Sequence, residues 1–287
     1  MAIKVILTPL FGVSSDGAAL ATAQAVAQKF SAHIDVMHIR ADPRTMIPYI
    51  GEGMSGALIE EMIASAEQQA DERAKRVRHS FDDWRAKSGL AMGVSAADGP
   101  NCAWIEDTGR PDVCIARRGR VADVVVIARA EGDNAVTTIT ETLEAALMDS
   151  GSPLLVAPSG APKSVGGHVA IAWNGGLEAA RAVTAAMPFL KAAGKATILV
   201  VGDPCPPEAN AEALAGYLAS HGVEAKINAM DAGGDSMSAT LLGAAGQAGA
   251  DLMVMGAYTH SRLRELVFGG VTYEVLAAAD IPVLMAH

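Results

Sequence analysis

Short apolar runs alternate with longer alanine-rich stretches along most of the chain. The run Lys4–Leu10 is followed by Asp16–Phe30, whose apolar residues recur at helical spacing, and then by a second apolar run at 34–43. Two later runs, VVVIA and LMVMG, are apolar at every position, as expected for strands that helices cover on both faces. Strands that alternate with helices predict βαβ units around a parallel sheet, and therefore an α/β fold.

The second half of the chain repeats this pattern. The strand and helix predicted at His168–Asn174 and Leu177–Ala193 correspond to those at the start of the chain, and ADLMVMGA at 250–257 corresponds to ADVVVIAR at 122–129. A repeat of this kind indicates two similar structural units. We therefore predict two tandem domains, each with a five-stranded parallel sheet flanked by helices.

The predicted domains cover residues 1–160 and 165–287, and the Pro-, Gly- and Ser-rich segment Pro158–Gly167 joins them. Their last strands, Leu154–Ala157 and Val283–Ala286, are expected to pair edge to edge within the chain, because an uncovered edge invites aggregation. The chain would then imitate a dimer, and two chains would remain able to associate as a homodimer.

The first half holds an additional segment between its second and third strands. Corresponding positions are 164 residues apart at the first strand but 128 apart at the later strand, which leaves about 30 extra residues in the first half. Gly56–Lys87 repeats apolar residues at spacings of three and four, which predicts one long amphipathic helix. Its apolar stripe is expected to cover the sheet, and its length leaves room for an overhang that contacts a partner. The segment Asp98–Arg110, with Trp104, is expected to be a turn beside a pocket.

The composition excludes several classes of protein. Of the 287 residues 51% are hydrophobic and 19% are charged, which is typical of a chain with a large core. The net charge of −10 argues against a nucleic-acid partner. The 3 cysteines form no CxxC pair, and no apolar run is long enough to span a membrane. We expect a cytoplasmic protein with no membrane partner and no metal centre.

In open α/β sheets, ligands bind beyond the carboxyl ends of the strands. The loop after the 253–255 strand begins with Gly256 and reaches the pair Gly269-Gly270, which precedes a helical stretch at Val271–Ala279. Exposed backbone N–H groups at a helix start favour anions, and His260 and Arg262 add donors in this loop. This loop is therefore the first candidate for a phosphate site.

The segment GAYTHSRLRELVFGGVT at 256–272, together with the tandem layout, resembles the universal stress protein family. The family's nucleotide-binding signature is Gly, two residues, Gly, nine residues, Gly, then Ser or Thr. The resemblance implies two tandem Rossmann-like domains of the adenine nucleotide alpha hydrolase type, each with strand order 3-2-1-4-5. It also implies that ATP or another adenine nucleotide, with Mg, binds where the loops 173–176 and 256–272 face one crevice.

The chain departs from the family signature at several positions. Gly256 and Gly269 match it, whereas Thr259 replaces the second glycine. Gly270 stands at the Ser/Thr position, and a threonine follows only at Thr272. In the first half the corresponding positions include two carboxylates, so that half is expected to be degenerate. The resemblance implies the following nucleotide-binding residues: Asn174, Gly175, Val200, Gly256, Thr259, His260, Arg262, Gly269, Gly270, Val271 and Thr272.

Three functional hypotheses follow. The first is a stress-related regulator or sensor that binds an adenine nucleotide in its second domain. The alternative is a nucleotide-independent interaction module in which both sites are degenerate, an idea that Thr259 and Asn174 favour. The third is an adenylating enzyme, for which the sequence offers no nucleophile elbow and no metal-ligand helix. We do not expect an enzyme, although weak ATP hydrolysis remains open.

Overall fold

The computed structural model of the chain describes residues 2–42, 55–97, 99–130, 136–202, 205–231, 233–257 and 270–287. Strands and helices alternate through both halves, as the sequence pattern predicts. The first half contains the elements β1 Val5–Leu10, α1 Asp16–Phe30, β2 His33–Arg40, α2 Gly56–Ser88, β3 Ala91–Met92, β4 Asn101–Thr108, α3 Pro111–Gly119, β5 Val124–Ala128, α4 Val136–Asp149 and β6 Leu154–Ala157.

The second half repeats the arrangement with a much shorter second helix. It contains β7 His168–Ala172, α5 Leu177–Ala192, β8 Lys195–Val201, a 3₁₀ turn at Pro207–Ala209, α6 Ala211–Ser220, β9 Ala225–Met230, α7 Met237–Ala248, β10 Leu252–Gly256, α8 Gly270–Ala278 and β11 Val283–Ala286. Among the described helices, none combines the length and apolar character needed to cross a membrane.

The described strands form one continuous sheet of 11 strands, in the order β3-β4-β2-β1-β5-β6-β11-β10-β7-β8-β9. Apart from the short edge strand β3, each half has the order 3-2-1-4-5 that the family resemblance implies. All neighbours within a half are parallel, including β1 with β5 and β7 with β10. In each half the order reverses between the first and fourth strands, and in open α/β sheets the carboxyl ends at such a point are where ligands bind. We call this place the crevice of each half.

The two halves meet at their last strands. β6 and β11 pair antiparallel, with Val156 opposite Val283 and Leu154 opposite Met285. This confirms the pairing expected from the sequence. The same junction carries helix contacts on one face, where the rings of Phe30 and Phe189 meet edge to face at 5.0 Å between centroids.

Each face of the sheet has its own core. On one face α1, α2, α5 and α6 cover residues such as Ile6, Val36 and Ile171. On the other face α3, α4, α7 and α8 cover residues such as Leu7 and Val125. The alternation of Ile6 and Leu7 between the two faces explains why the strand runs are apolar at successive positions.

The long helix α2 matches its prediction to within one residue. Ser55 caps its start by accepting a hydrogen bond from the backbone N–H of Leu58, and Gly89 ends it with a positive φ of 69°. Its carboxyl-terminal half packs on the sheet and on α1, where the indole Nε1 of Trp84 donates to Oε1 of Gln24 at 3.1 Å.

Two expectations for the first half are wrong. Its sheet has six strands, because β3 adds an edge beyond β4. The segment expected as a turn contains β4, whose residues Asn101 and Cys102 are buried and whose last residues are exposed. Only the two-residue strand β3 covers β4 on its outer side, so the carboxyl end of β4 tolerates charged residues that a central strand would not.

Candidate functional site

The second-half crevice lies where β7 and β10 end side by side. Ala172 is the partner of Met255 in this parallel pair, so the loop at 173–176 and the residues that follow Gly256 leave the sheet at the same edge. Strand order reverses at this point, which is where open α/β sheets bind their ligands.

Trp173 anchors the loop that follows β7. Its backbone N–H donates to the carbonyl oxygen of Leu199 at 2.9 Å, and its indole Nε1 donates to the carbonyl oxygen of Ala209 at 2.8 Å. The ring is buried, so both hydrogen bonds are shielded from water. Trp173 therefore holds the loop against the 3₁₀ turn at Pro207–Ala209. No spacing in the sequence marks Trp173 as a functional residue, although a tryptophan directly before Asn-Gly-Gly is an unusual end for a strand of small residues.

Asn174 stands exposed at the mouth of the crevice. Its side-chain Oδ1 accepts a hydrogen bond from the backbone N–H of Gly176 at 3.0 Å, which fixes the direction of the amide. The amide's own N–H groups have no partner among the described residues. Asn174 is thus oriented by the loop and has donors available for a ligand.

Two glycines shape the backbone around Asn174. Gly175 has a φ of +68°, and a Cβ built on it would lie 2.9 Å from Cδ of Pro206. A Cβ on Gly256 would lie 2.4 Å from the backbone nitrogen of Ala179 and 2.6 Å from the carbonyl carbon of Glu178. The first turn of α5 therefore lies directly against the end of β10, at the crevice. The lack of a side chain at both glycines thus allows the chain's own segments to pack closely at this edge of the sheet.

The electrostatics of the crevice are mixed. The first turn of α5 presents the positive end of the helix dipole, which favours an anion. Glu178 lies in the same turn and is half-buried. The described residues contain no group of three or more His, Cys, Asp or Glu side chains arranged to hold a metal ion.

The remaining candidate residues divide into three groups. Val200 is buried in the same apolar cluster as Trp173, and it lines packed core. Gly270 is exposed, Val271 is half-buried and Thr272 is buried in the first turn of α8, a helix that contacts α7. The other candidates, Thr259, His260, Arg262 and Gly269, lie outside the described residues.

In the first half, the side chain of Asp16 binds the backbone amides of the corresponding loop, which follows β1. Asp16 accepts hydrogen bonds from three successive backbone N–H groups, those of Phe11 at 3.1 Å, Gly12 at 2.7 Å and Val13 at 3.3 Å. Burial raises the pKa of Asp16 to about 6, against the opposing effect of these hydrogen bonds. The Asp16 carboxylate thus occupies the donors that an incoming anion would otherwise use.

Three buried side-chain atoms of the described residues make no hydrogen bond, and all belong to the first half. They are Oγ1 of Thr8, Oγ of Ser15 and Nε2 of His38. His38 uses its Nδ1 to donate to the carbonyl oxygen of Leu10 at 2.9 Å, which leaves Nε2 as an acceptor. Burial lowers the pKa of His38, so its ring is neutral at pH 7.

A second polar group lies at the amino ends of β2 and β4. His33 bonds Asn101 through Nδ1 at 2.5 Å and Asp35 through Nε2 at 3.0 Å, and Arg118 donates to Asp35 at 2.8 Å. The hydrogen bond to Asp35 raises the pKa of His33, although burial opposes this. This group ties β2, β4 and α3 together on the edge opposite the crevice.

Comparison with solved structures shows that the doubly wound tandem fold has known counterparts. A universal stress protein from Archaeoglobus fulgidus aligns with 98% of this chain and 95% of its own, with a TM-score of 0.65 and 16% identity. A functionally unknown protein from Pseudomonas aeruginosa aligns with 99% of this chain and 92% of its own, with a TM-score of 0.56 and 13% identity. At such identities the likeness concerns the fold. No curated protein sequence matches the chain.

The family comparison is specific to the second half. Residues 167–287 match the sequence profile of the universal stress protein family. This match confirms the resemblance to that family that the tandem layout and the segment 256–272 indicate.

Proposed function

We propose that this chain is a universal stress protein-like regulator or sensor that binds an adenine nucleotide, ATP in the first instance, in its second half. The observation that supports this most is that the loop at 173–176 and the end of β10 leave the sheet side by side where the strand order reverses. There the amide of Asn174 is exposed, and the loop fixes its direction.

The chain's own residues would divide the binding between them. The amide N–H groups of Asn174 would donate to the ribose or base, and the first turn of α5 would favour the negative phosphates through its dipole. His260 and Arg262 are expected to contribute further donors from the loop after β10. Mg²⁺ would arrive with the phosphates, and it would shield them from Glu178.

We propose that the protein acts by binding rather than by catalysis. The described side chains at the crevice do not include a nucleophile paired with a base. They are chiefly Trp173, Asn174 and Glu178. Hydrolysis of a bound nucleotide would then depend on phosphate contacts alone and would be slow.

Thermal unfolding with and without ATP and Mg²⁺ tests the proposal. A ligand at one hundred times its dissociation constant stabilises a fold by about 2.7 kcal/mol, which raises the melting temperature by several degrees. Asn174→Ala should reduce the shift, because it removes the donors from an exposed position, while Gln247→Ala on the exposed side of α7 should leave it unchanged. The absence of any shift at millimolar ATP would refute nucleotide binding.

A second candidate function is a nucleotide-independent interaction module. The self-closed loop at Asp16 and the exposed amino-terminal half of α2 favour it. Under this alternative ATP leaves the melting temperature unchanged, and function depends on the surface of α2.

A further inference from the structure

Helix α2 is much longer than the sheet that it covers. Its 33 residues span about 50 Å, yet its buried residues are Ala74, Val77 and Phe81. Arg40, at the end of β2, pairs with Asp71, and the side chain of Arg73 contacts Gly12, which marks where the helix leaves the carboxyl edge of the sheet. Residues 56–72, the overhang, therefore project about 25 Å past this edge.

The overhang has the surface of a docking helix. Its apolar side chains follow one stripe, and Leu58 and Met62 remain 44% and 41% exposed. The stripe consists of Leu58, Ile59, Met62, Ile63 and Ala66. Five carboxylates and no Lys or Arg accompany it, namely Glu60, Glu61, Glu67, Asp71 and Glu72. An acidic helix with an apolar stripe fits a partner surface that has apolar residues at its centre and basic side chains around them.

The other half of the same helix has the opposite charge. Arg73, Lys75, Arg76 and Arg78 follow within six positions, and all are exposed. Arg73, Lys75 and Arg76 form no ion pair with any residue that the structure describes. Helix α2 thus consists of an acidic overhang and a basic seated half, residues 73–88, which packs on the sheet. The sign of the charge changes between Glu72 and Arg73.

A groove runs beside the basic half. It has a volume of about 510 Å³, and its lining residues are Arg40, Asp71, Ala74, Lys75, Arg78, His79, Asp82 and Glu106. Below it lies Trp104, whose ring is 5.2 Å from the Arg78 guanidinium carbon and 5.1 Å from the Phe81 ring. Met92 extends the same sheet face at the edge, and it is 51% exposed. The charges that line the groove balance, since Asp71 pairs with Arg40 and Asp82 with Arg78, and Lys75 is the lining base without an ion pair among the described residues.

We propose that two copies of this chain associate through α2, with the overhang of each copy lying in the groove of the other. Three opposite charges of the helix are mirrored about the point between Glu72 and Arg73, since Glu67 lies as far before it as Arg78 lies after it, and Glu60 as far before it as Arg85 after it. Antiparallel helices related by a two-fold axis at this point bring Glu60, Glu67 and Glu72 of one copy beside Arg85, Arg78 and Arg73 of the other. The apolar stripe of each copy then covers the exposed Met92 and the half-buried Trp104 of the other.

A charge-swap experiment on the full chain tests this arrangement. The first variant reverses the overhang with Glu60→Lys, Glu61→Lys and Glu67→Lys. The second variant reverses the seated half with Arg73→Glu, Lys75→Glu and Arg76→Glu. In either variant alone the contacting surfaces have the same sign, so each should be monomeric by light scattering after size exclusion. An equimolar mixture should form a heterodimer, because both contacts then regain opposite charges. Circular dichroism checks that each variant is folded.

A matched control reverses three exposed carboxylates of the second half, Glu208→Lys, Glu212→Lys and Glu224→Lys. It changes the net charge as much as the first variant does and should leave the dimer intact. A monomeric wild-type chain would overturn the proposal, as would a dimer that survives both reversals or a mixture that stays monomeric. Binding of a basic amphipathic peptide to a monomeric wild-type chain would also overturn it and would identify a different occupant.

Discussion

Gly256 and Ala179 bring two backbones into direct contact at the second-half crevice. A Cβ on Gly256 would stand 2.4 Å from the backbone nitrogen of Ala179, closer than any side-chain carbon can approach. The end of β10 and the first turn of α5 are therefore positioned by the lack of a side chain, and any added atom must push the helix away from the crevice.

Gly256→Ala should therefore lower both stability and nucleotide binding. Displacing a packed helix start costs about 1–3 kcal/mol, and the ATP-dependent rise in melting temperature should be lost. Gly216→Ala is the matched control, because Gly216 lies in α6 with nothing within 4 Å of a new Cβ. It should raise stability by about 0.5–1 kcal/mol, as expected for alanine in a helix. Equal effects of the two substitutions on urea unfolding would contradict this account.

Asp16 should make the fold more stable as the pH falls from 7 to 5. Its pKa is raised to about 6 when folded and returns to its ordinary value when unfolded, so the folded state binds the proton more tightly. The gain between these pH values is about 1 kcal/mol. Urea unfolding at several pH values should show this gain in the wild type relative to Asp16→Asn. A difference that does not vary with pH would rule out a raised pKa.

His33 should contribute a separate pH dependence at higher pH. Its pKa is raised by the hydrogen bond to Asp35, so its contribution is present below the ordinary histidine pKa and is lost as the pH rises through the folded value. The unfolding free energy of the wild type should thus fall between pH 6 and 8 relative to His33→Gln. An unfolding free energy that varies with pH in the same way for the wild type and His33→Gln would contradict a raised pKa of His33.

Arg129 joins the two halves at the end of α8. Its Nη1 donates to the carbonyl oxygens of Leu276 at 3.2 Å and Ala279 at 3.1 Å, which places a positive charge at the carboxyl end of that helix. Arg129→Ala should cost about 1–3 kcal/mol in urea unfolding, because hydrogen bonds from a charged group are lost. Arg181→Ala, at an exposed position of α5, should change stability by less than about 0.5 kcal/mol. Similar losses in both variants would show that Arg129 is not a link between the halves.

Regular elements with a strong local pattern could be predicted from the sequence. The bounds of α1 agree with the prediction, and the pairing of β6 with β11 follows from the two apolar runs that close each half. The edge strand β3 was not predicted, and β9 was expected as one of five strands but without a position in the sequence. β9 is only half-buried and carries Lys226 and Asn228, so it has no continuous apolar run to indicate it.

The hydrogen bonds at the two crevices could not be predicted from the sequence as well as the fold could. The hydrogen bond from Trp173 to Ala209 joins segments far apart in the sequence, and no local spacing indicates it. Ser15 has the residue type of a helix cap, yet it makes no capping hydrogen bond, and Asp16 reaches back to the loop amides instead. This choice depends on the burial of Asp16, which only the folded chain provides.

Because β6 and β11 are antiparallel, the strands of the two halves point in opposite directions. The strands of the first half therefore end at one edge of the sheet, and those of the second half end at the opposite edge. A nucleotide in the second half and a second copy on the overhang would therefore occupy remote sides of the protein. Neither would exclude the other by collision, so any communication between them would have to pass through the shared sheet.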